Sequence, residues 1–315
     1  MEFNLKRDIN KTIEMMEKDS ENELKEKEYS KVYSSSVINH KDLYPSISSK
    51  FGKFLGILGS TAPALNAIYM GAKDLTCFDI SFPACYYAYF QIAAILSLEY
   101  EEYLEFMYNH QEHKSFNFDT YQKIRDELYV NGDMDSKKYF DALYVHKGEE
   151  KIRKHFFVEL NDFLPKEIYQ IADSELSLYF KKESFYILKE KLKNISLKIF
   201  QEDVRNIPEL MQDKRFDFIY MSCAHRFIYE ERSIKNLLDY ISLLEQMKQL
   251  LEKDGTLQAG YFYMKEALFD PIETCQQMSI FEQNGYQRIN VDSITKRRDV
   301  AYVYKKYWKK NKISL

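Results

Sequence analysis

The clearest change of pattern along the chain lies at residues 51–80. Charged sequence of mixed sign gives way to an unbroken apolar run, Phe54-Leu55-Gly56-Ile57-Leu58, which ends in Gly59-Ser60-Thr61. A run that is apolar at every position is what a strand buried on both faces requires. Ala62 to Met70 read as a helix that Gly71-Ala72 ends, and Leu75-Thr76-Cys77-Phe78-Asp79-Ile80 reads as a second strand. Strand, turn, helix and strand within residues 54–80 make a βαβ unit.

The pattern divides the rest of the chain. In residues 1–50, Leu5, Ile9, Ile13 and Met16 fall at helical spacing, which predicts an N-terminal helical arm. Residues 51–109 hold the first half of a cofactor domain, with helices over 83–108. Residues 110–194 are charged and aromatic, with helical patterns at Tyr121–Tyr129, Lys137–Tyr144 and Leu176–Leu192 and no strand evident. They read as a helical insertion or lid. Alternation resumes over 195–315: strands Ile195–Phe200 and Phe216–Met221, a helix Ser233–Leu251, a strand Thr256–Tyr263 and a helix closing at Phe281–Gly285. Tyr286–Ile294 and Val300–Lys305 then form a terminal antiparallel pair. The fold class expected is α/β: a Rossmann-like sheet of methyltransferase type with helices on both faces, carrying the arm and the insertion.

Composition narrows the class without naming a reaction. The 315 residues include 26 Tyr and 22 Phe but only 9 Gly and 6 Pro, which argues against a loop-rich or all-β fold. A net charge of −4 supplies no general drive toward nucleic acid. Cys77, Cys85, Cys223 and Cys275 form no CxxC pair and have no His at zinc-ligand spacing, so neither a metal site nor a disulfide framework is expected. Reduced thiols, no signal-like N-terminus and no apolar run of about 18 residues fit a cytoplasmic protein without a transmembrane segment. The basic, aromatic C-terminal stretch Lys305-Lys306-Tyr307-Trp308-Lys309-Lys310 suits either peripheral contact with an anionic membrane or a solvated tail.

Candidate chemistry gathers where strands end. A Rossmann first turn needs small residues, because its backbone approaches the ligand and feeds a helix N-terminus. Leu58, Gly59, Ser60 and Thr61 meet that need. The full GxGxxG signature is missing, which disfavours a dinucleotide pyrophosphate and a nicotinamide oxidoreductase. S-adenosylmethionine, which has no phosphates, fits better. Asp79 stands twenty residues after Gly59, where an acid suits ribose hydroxyls, with Ile80 beside it. Capping of the helix near Pro83 is its other reading. Asp203 and Val204 follow the third strand, where an acid can face adenine; Glu202 is the rival. After the fourth strand come Ser222-Cys223-Ala224-His225-Arg226 and Tyr229, on the side where α/β sheets hold substrate. His225 is the candidate general base, or an incidental loop histidine. Tyr229 is the second catalytic candidate, Ser222 a cofactor-binding one, and Tyr229 and Arg226 are candidates for substrate contact.

One stretch resembles a known family. The residues are Gly59-Ser60-Thr61, Ala64-Leu65-Asn66-Ala67, Gly71-Ala72-Lys73 and Phe78-Asp79-Ile80. Tyr86-Tyr87, Gln91 to Ile95, Leu98 and Tyr100 to Leu104 continue the match. They resemble proteins typified by S-adenosylmethionine:diacylglycerol 3-amino-3-carboxypropyltransferase of betaine-lipid synthesis, specifically over residues 50–108 and loosely over 195–263. The resemblance implies a transferase that moves a 3-amino-3-carboxypropyl group, or a methyl group, from S-adenosylmethionine to a small-molecule, lipid or peptide acceptor. Gly59 and Ser60 would then line the methionine moiety, Asp79 the ribose and Asp203 the adenine. Ala62-Pro63 stand where that family's turn carries a further glycine and a polar residue. This motivates an alternative: a Rossmann-fold binding or assembly protein that has lost catalysis.

Overall fold

The computed structural model describes residues 3–17, 38–109, 114–131, 134–156, 177–222, 224–226, 234–263, 271–292 and 298–306. Two helices come first, α1 (Leu5–Glu17) and α2 (His40–Ile47). β1 (Lys53–Ile57), α3 (Ala62–Tyr69) and β2 (Asp74–Asp79) form the expected βαβ unit. α4 (Phe82–Ser97), α5 (Tyr100–Tyr108), α6 (Phe118–Ile124) and a two-residue hairpin, β3 (Val130–Asn131) with β4 (Met134–Asp135), follow. α7 (Ser136–Phe156) kinks at Gly148, and α8 (Lys182–Leu192) leads back to the sheet. The remainder is β5 (Ser196–Gln201), α9 (Ile207–Leu210), β6 (Phe216–Tyr220), α10 (Ile234–Gln249), β7 (Leu251–Phe262), α11 (Pro271–Gln283), β8 (Gln287–Asp292) and β9 (Arg298–Lys305).

Seven strands make one sheet in the order β5-β2-β1-β6-β7-β9-β8. Every pairing from β5 to β7 is parallel, while β9 runs antiparallel to both of its neighbours. This is an α/β, Rossmann-like architecture with helices flanking the sheet. Strand side chains alternate between its faces. Phe54, Leu75, Cys77, Phe218 and Tyr220 enter one core with α2, α3 and α4. Leu55, Phe78, Ile219 and Leu257 enter the other with α10 and α11. The continuous apolar runs follow from burial on both faces.

Local signals end the elements as physics requires. Gly71 takes φ +109°, its N–H bonds the Ile68 carbonyl, and the Ala72 N–H bonds that of Ala67. This pair of bonds closes α3 as a Schellman motif. Ser81 caps α4, its hydroxyl accepting the Ala84 N–H (3.4 Å), with Pro83 tolerated in the first turn.

Three details differ from the pattern reading. The segment read as free of strands holds the β3–β4 hairpin, too short for period-two alternation to register. α10 stops at Gln249, and β7 begins at Leu251 rather than Thr256, bending through Asp254 at φ +63°. α2 is a separate helix within the arm and carries Pro45 inside it. Tyr307–Lys310 of the basic tail lie outside the described residues. Among the described residues no helix is long and apolar enough to cross a membrane.

The insertion shares the core of one sheet face. Phe90 of α4 meets Phe106, Phe116, Tyr121 and Phe140 at ring-centroid distances of 5.5, 5.7, 6.3 and 4.3 Å. All of them belong to the same contiguous cluster as Phe54 and Phe218. Replacing Phe90 with Ala should therefore destabilise the whole chain by about 3–5 kcal/mol. Urea unfolding followed by circular dichroism checks this; a separate early transition confined to the insertion would contradict it.

Candidate functional site

Two parallel strand ends build the site. β1 and β2 pair in register to Ile57 opposite Phe78, and the Leu58 N–H continues the ladder to the Phe78 carbonyl (2.9 Å). Gly59 then turns the chain at φ +54°, a conformation that favours glycine. A Cβ placed there would meet no atom within 4 Å, so space opens at this position. Asp79, the last residue of β2, bends back to the turn. Its Oδ2 accepts the Gly59 N–H (2.8 Å) and its Oδ1 accepts the Ser81 N–H (2.9 Å). Ser81, and not Asp79, therefore caps α4. Burial pushes the Asp79 carboxyl up from its usual value, while the N–H groups of Ser81, Gly59 and Ile80 draw it down. A carboxylate offers about four lone-pair sites. With the Gly59 N–H on Oδ2 and the Ser81 N–H on Oδ1, Asp79 keeps acceptor capacity for a ligand hydroxyl.

Beside it, the start of α3 is rich in donors. Thr61 has helical φ and ψ and makes no capping bond through its side chain. Its hydroxyl is buried, with the residue 2% exposed, and has no hydrogen-bond partner. The helix ladder begins with the Leu65 N–H bonding the Thr61 carbonyl. Pro63 has no N–H, so Ala62 and Ala64 present N–H groups that no intrahelical carbonyl meets. Ser60 is buried next to them.

β5 continues this edge. Gln201 pairs with Asp79, and the Glu202 N–H bonds the Asp79 carbonyl (2.9 Å). Asp203 lies just beyond, at the head of a short helical turn, Val204–Asn206. Its Oδ1 accepts the Arg205 backbone N–H and Nε, both at 2.9 Å, and its Oδ2 forms an ion pair with the same guanidinium. Burial raises the Asp203 carboxyl, but the Arg205 bonds outweigh it and hold the group below its usual value. Glu202 receives the Asp203 N–H and the Asn206 amide, at 3.0 and 2.9 Å. Val204 packs into the core shared with α10.

On the other side of β1, the loop after β6 is set by a buried glutamine. Ser222 has φ +52°, unusual for a residue with a side chain. Gln258 of β7 holds it: its Oε1 accepts the Ser222 N–H (2.9 Å) and its Nε2 donates to the Gly260 carbonyl (2.9 Å). The His225 ring rests on Phe262, Phe281 and Tyr240 at 4.6, 5.8 and 6.0 Å, in the aromatic nest of β7, α10 and α11. Tyr229 and Cys223 fall outside the described residues.

The turn Leu58–Thr61, Asp79 and Ile80 are thus brought into one connected group. Asp203 adjoins it across β5, and Ser222 sits past the next strand. Pattern reading missed Gln258, although a lone amide in an otherwise apolar strand is a visible signal. It also missed His40, whose Nε2 lies 3.1 Å from the Tyr220 hydroxyl at the end of β6. No protein-family model matches this chain, and no curated protein matches it either.

His40 supplies a pH test of this end of the sheet. It is fully buried, and burial lowers its imidazole to about 3. The unfolded chain binds this proton from about pH 6.5 downward, whereas the folded chain binds it only near 3. Stability therefore falls as pH drops through that window, by about 1.4 kcal/mol per pH unit. His40→Gln should flatten that part of the profile of unfolding free energy against pH. An unchanged slope would refute the assignment.

Proposed function

We propose that this chain is an S-adenosylmethionine-dependent transferase, of the methyltransferase-like branch of Rossmann folds, that moves a 3-amino-3-carboxypropyl or a methyl group to an acceptor. The observation that carries the reading is the Asp79 carboxylate, buried at the end of the second strand, bound to the Gly59 turn and still able to accept hydroxyls. Ribose-binding acids occupy this place in Rossmann sheets. Sheet order supports the reading. Numbered within the seven-stranded sheet, the strands run 3-2-1-4-5-7-6, a doubly wound order with one antiparallel strand inserted near the edge. The order reverses between β1 and β6, and ligands of such sheets bind beyond the strand ends at that point. The turn at Gly59 and the loop at Ser222 flank it.

The donor set fits an amino-acid end better than a pyrophosphate. Thr61 Oγ1 and the N–H groups of Ala62 and Ala64 suit one carboxylate at a helix N-terminus. The sparse glycines leave little room for two phosphates. Leu58 and Ser60 would line the same end, Ile80 and Val204 the base. S-adenosylmethionine, when bound, supplies a sulfonium whose methyl carbon and methionine γ-carbon are the electrophiles of the two transfers. An acceptor lone pair forms the new bond, the carbon–sulfur bond breaks with its electron pair returning to sulfur, and the acceptor proton leaves to solvent. The chain's part is to hold the two reactants in line, which supplies much of the rate in a single displacement. The acceptor would approach along the loop that Gln258 shapes. The likeness over residues 50–108 to the betaine-lipid transferase family favours the aminocarboxypropyl chemistry.

The settings of His225 and Asp203 favour a second reading. The histidine ring is packed among aromatics, and the aspartate is engaged by Arg205. A scaffold that binds the nucleoside without turnover would tolerate both.

S-adenosylmethionine at a hundred times its Kd should stabilise the fold by about 2.7 kcal/mol. Asp79→Ala should abolish the shift. Differential scanning fluorimetry reads this, and unchanged melting of the wild type at millimolar cofactor would sink the proposal. Product analysis separates the chemistries: methylthioadenosine marks aminocarboxypropyl transfer and S-adenosylhomocysteine marks methylation. A bound nucleoside with neither product would favour the second reading.

A further inference from the structure

The N-terminal helix reaches the edge of the candidate site. In α1, the Asp8 carboxylate is fully buried. It accepts the Arg7 side chain through Nε (2.9 Å) and a terminal nitrogen (2.7 Å), the Asn4 N–H (3.2 Å) and the Tyr86 hydroxyl of α4 (3.3 Å). One turn on, the Thr12 hydroxyl lies 2.7 Å from that of Tyr139 in α7. The helix is thus tied to α4 and α7 by buried polar contacts, which fixes where Arg7 goes.

Arg7 goes to β5. A terminal nitrogen of its guanidinium donates to Gln201 Oε1 (3.1 Å), and the Gln201 amide nitrogen approaches the Ile80 carbonyl (3.4 Å). Gln201 is the register partner of Asp79 in a parallel pair. Partnered positions place their side chains on the same face of a sheet. Arg7 is therefore one side chain away from the carboxylate, on the same face. Its side chain stays 37% exposed, although its neighbour Asp8 is wholly enclosed.

Sheet order gives this placement a direction. β2 lies between β1 and β5. A ligand with one end on the β1 turn and its ribose on Asp79 must carry its far end over β5, where Gln201 and Arg7 meet. Resting on the nucleoside reading above, we propose that Arg7 forms the outer wall of the site and contacts the purine ring. A planar guanidinium suits this role, since its face can stack on an aromatic ring while its edge stays bonded to Asp8 and Gln201. The N-terminal helix is then a part of the binding site and not merely a cover on the core.

Calorimetric titration of the full chain with S-adenosylmethionine and with methylthioadenosine, which lacks the amino-acid end, tests this. Arg7→Ala and Arg7→Gln should each weaken both ligands by the same factor, about tenfold. Thr61→Val should weaken S-adenosylmethionine alone. Either change leaves the Asp8 carboxylate buried without its cation, so Arg7→Gln is also combined with Asp8→Asn, and melting of that unliganded double variant close to wild type shows the helix still docked. Wild-type affinity of both arginine variants for both ligands overturns the proposal and leaves the nucleoside reading standing. Weakening of S-adenosylmethionine alone in the arginine variants also overturns it, since Arg7 would then act at the other end. Failure of the wild type to bind either ligand overturns the nucleoside reading itself.

Discussion

The Asp79 carboxylate holds the Gly59 N–H on one oxygen and the Ser81 N–H on the other. Three elements depend on this brace. The Gly59 turn feeds α3, Ser81 starts α4, and Asp79 itself ends β2. The group is buried and its charge is disfavoured there, yet backbone donors surround it. Such a carboxylate fixes the geometry of strand ends with little freedom left, because an N–H that lost it would face a costly desolvated vacancy. The same fixed oxygens are then ready for a ligand without rearrangement.

Around this brace the two sheet faces do different work. The face covered by α10 and α11 is a closed core, and its aromatic nest takes in the His225 ring. The face covered by α2, α3 and α4 extends without a break into the insertion through Phe90, Phe140 and Tyr144. Buried polar side chains stitch this second face together. Asn66 of α3 donates to the Ser177 hydroxyl and accepts the Leu178 N–H (3.3 and 2.7 Å), so the segment returning from the insertion docks on the helix that starts at the turn. Gln91 donates to the hydroxyls of Tyr103 and Tyr108, both at 3.0 Å. Movement of Ser177 and Leu178 away from α3 would break the Asn66 bonds, and movement of α7 would break the apolar contacts of the shared core.

The strands of the sheet were legible because burial on both faces leaves an unbroken apolar run that few other structures need. The turn was legible because small residues and a following acid at a fixed distance are demanded by backbone approach. Other features left no such trace. Gln258 and Ser222 are 36 residues apart and meet only because β6 and β7 are neighbours. Asp203 shows the limit of spacing: its position beyond the third strand was readable, but its partner, Arg205, is chosen by local rotamers. His225 carried the residue type of a general base, and only the packing of Phe262 and Phe281 reveals its apolar surroundings.

Sequence alone determined the alternation of strands and helices, the βαβ unit, and the pairing of a small-residue turn with Asp79, since each is written in local pattern and short spacing. The tertiary structure decided the strand order, the shared core of the insertion and the placement of Arg7 beside Gln201. These depend on contacts between residues far apart in the chain, which become neighbours only when the sheet has chosen its order and each side chain its face.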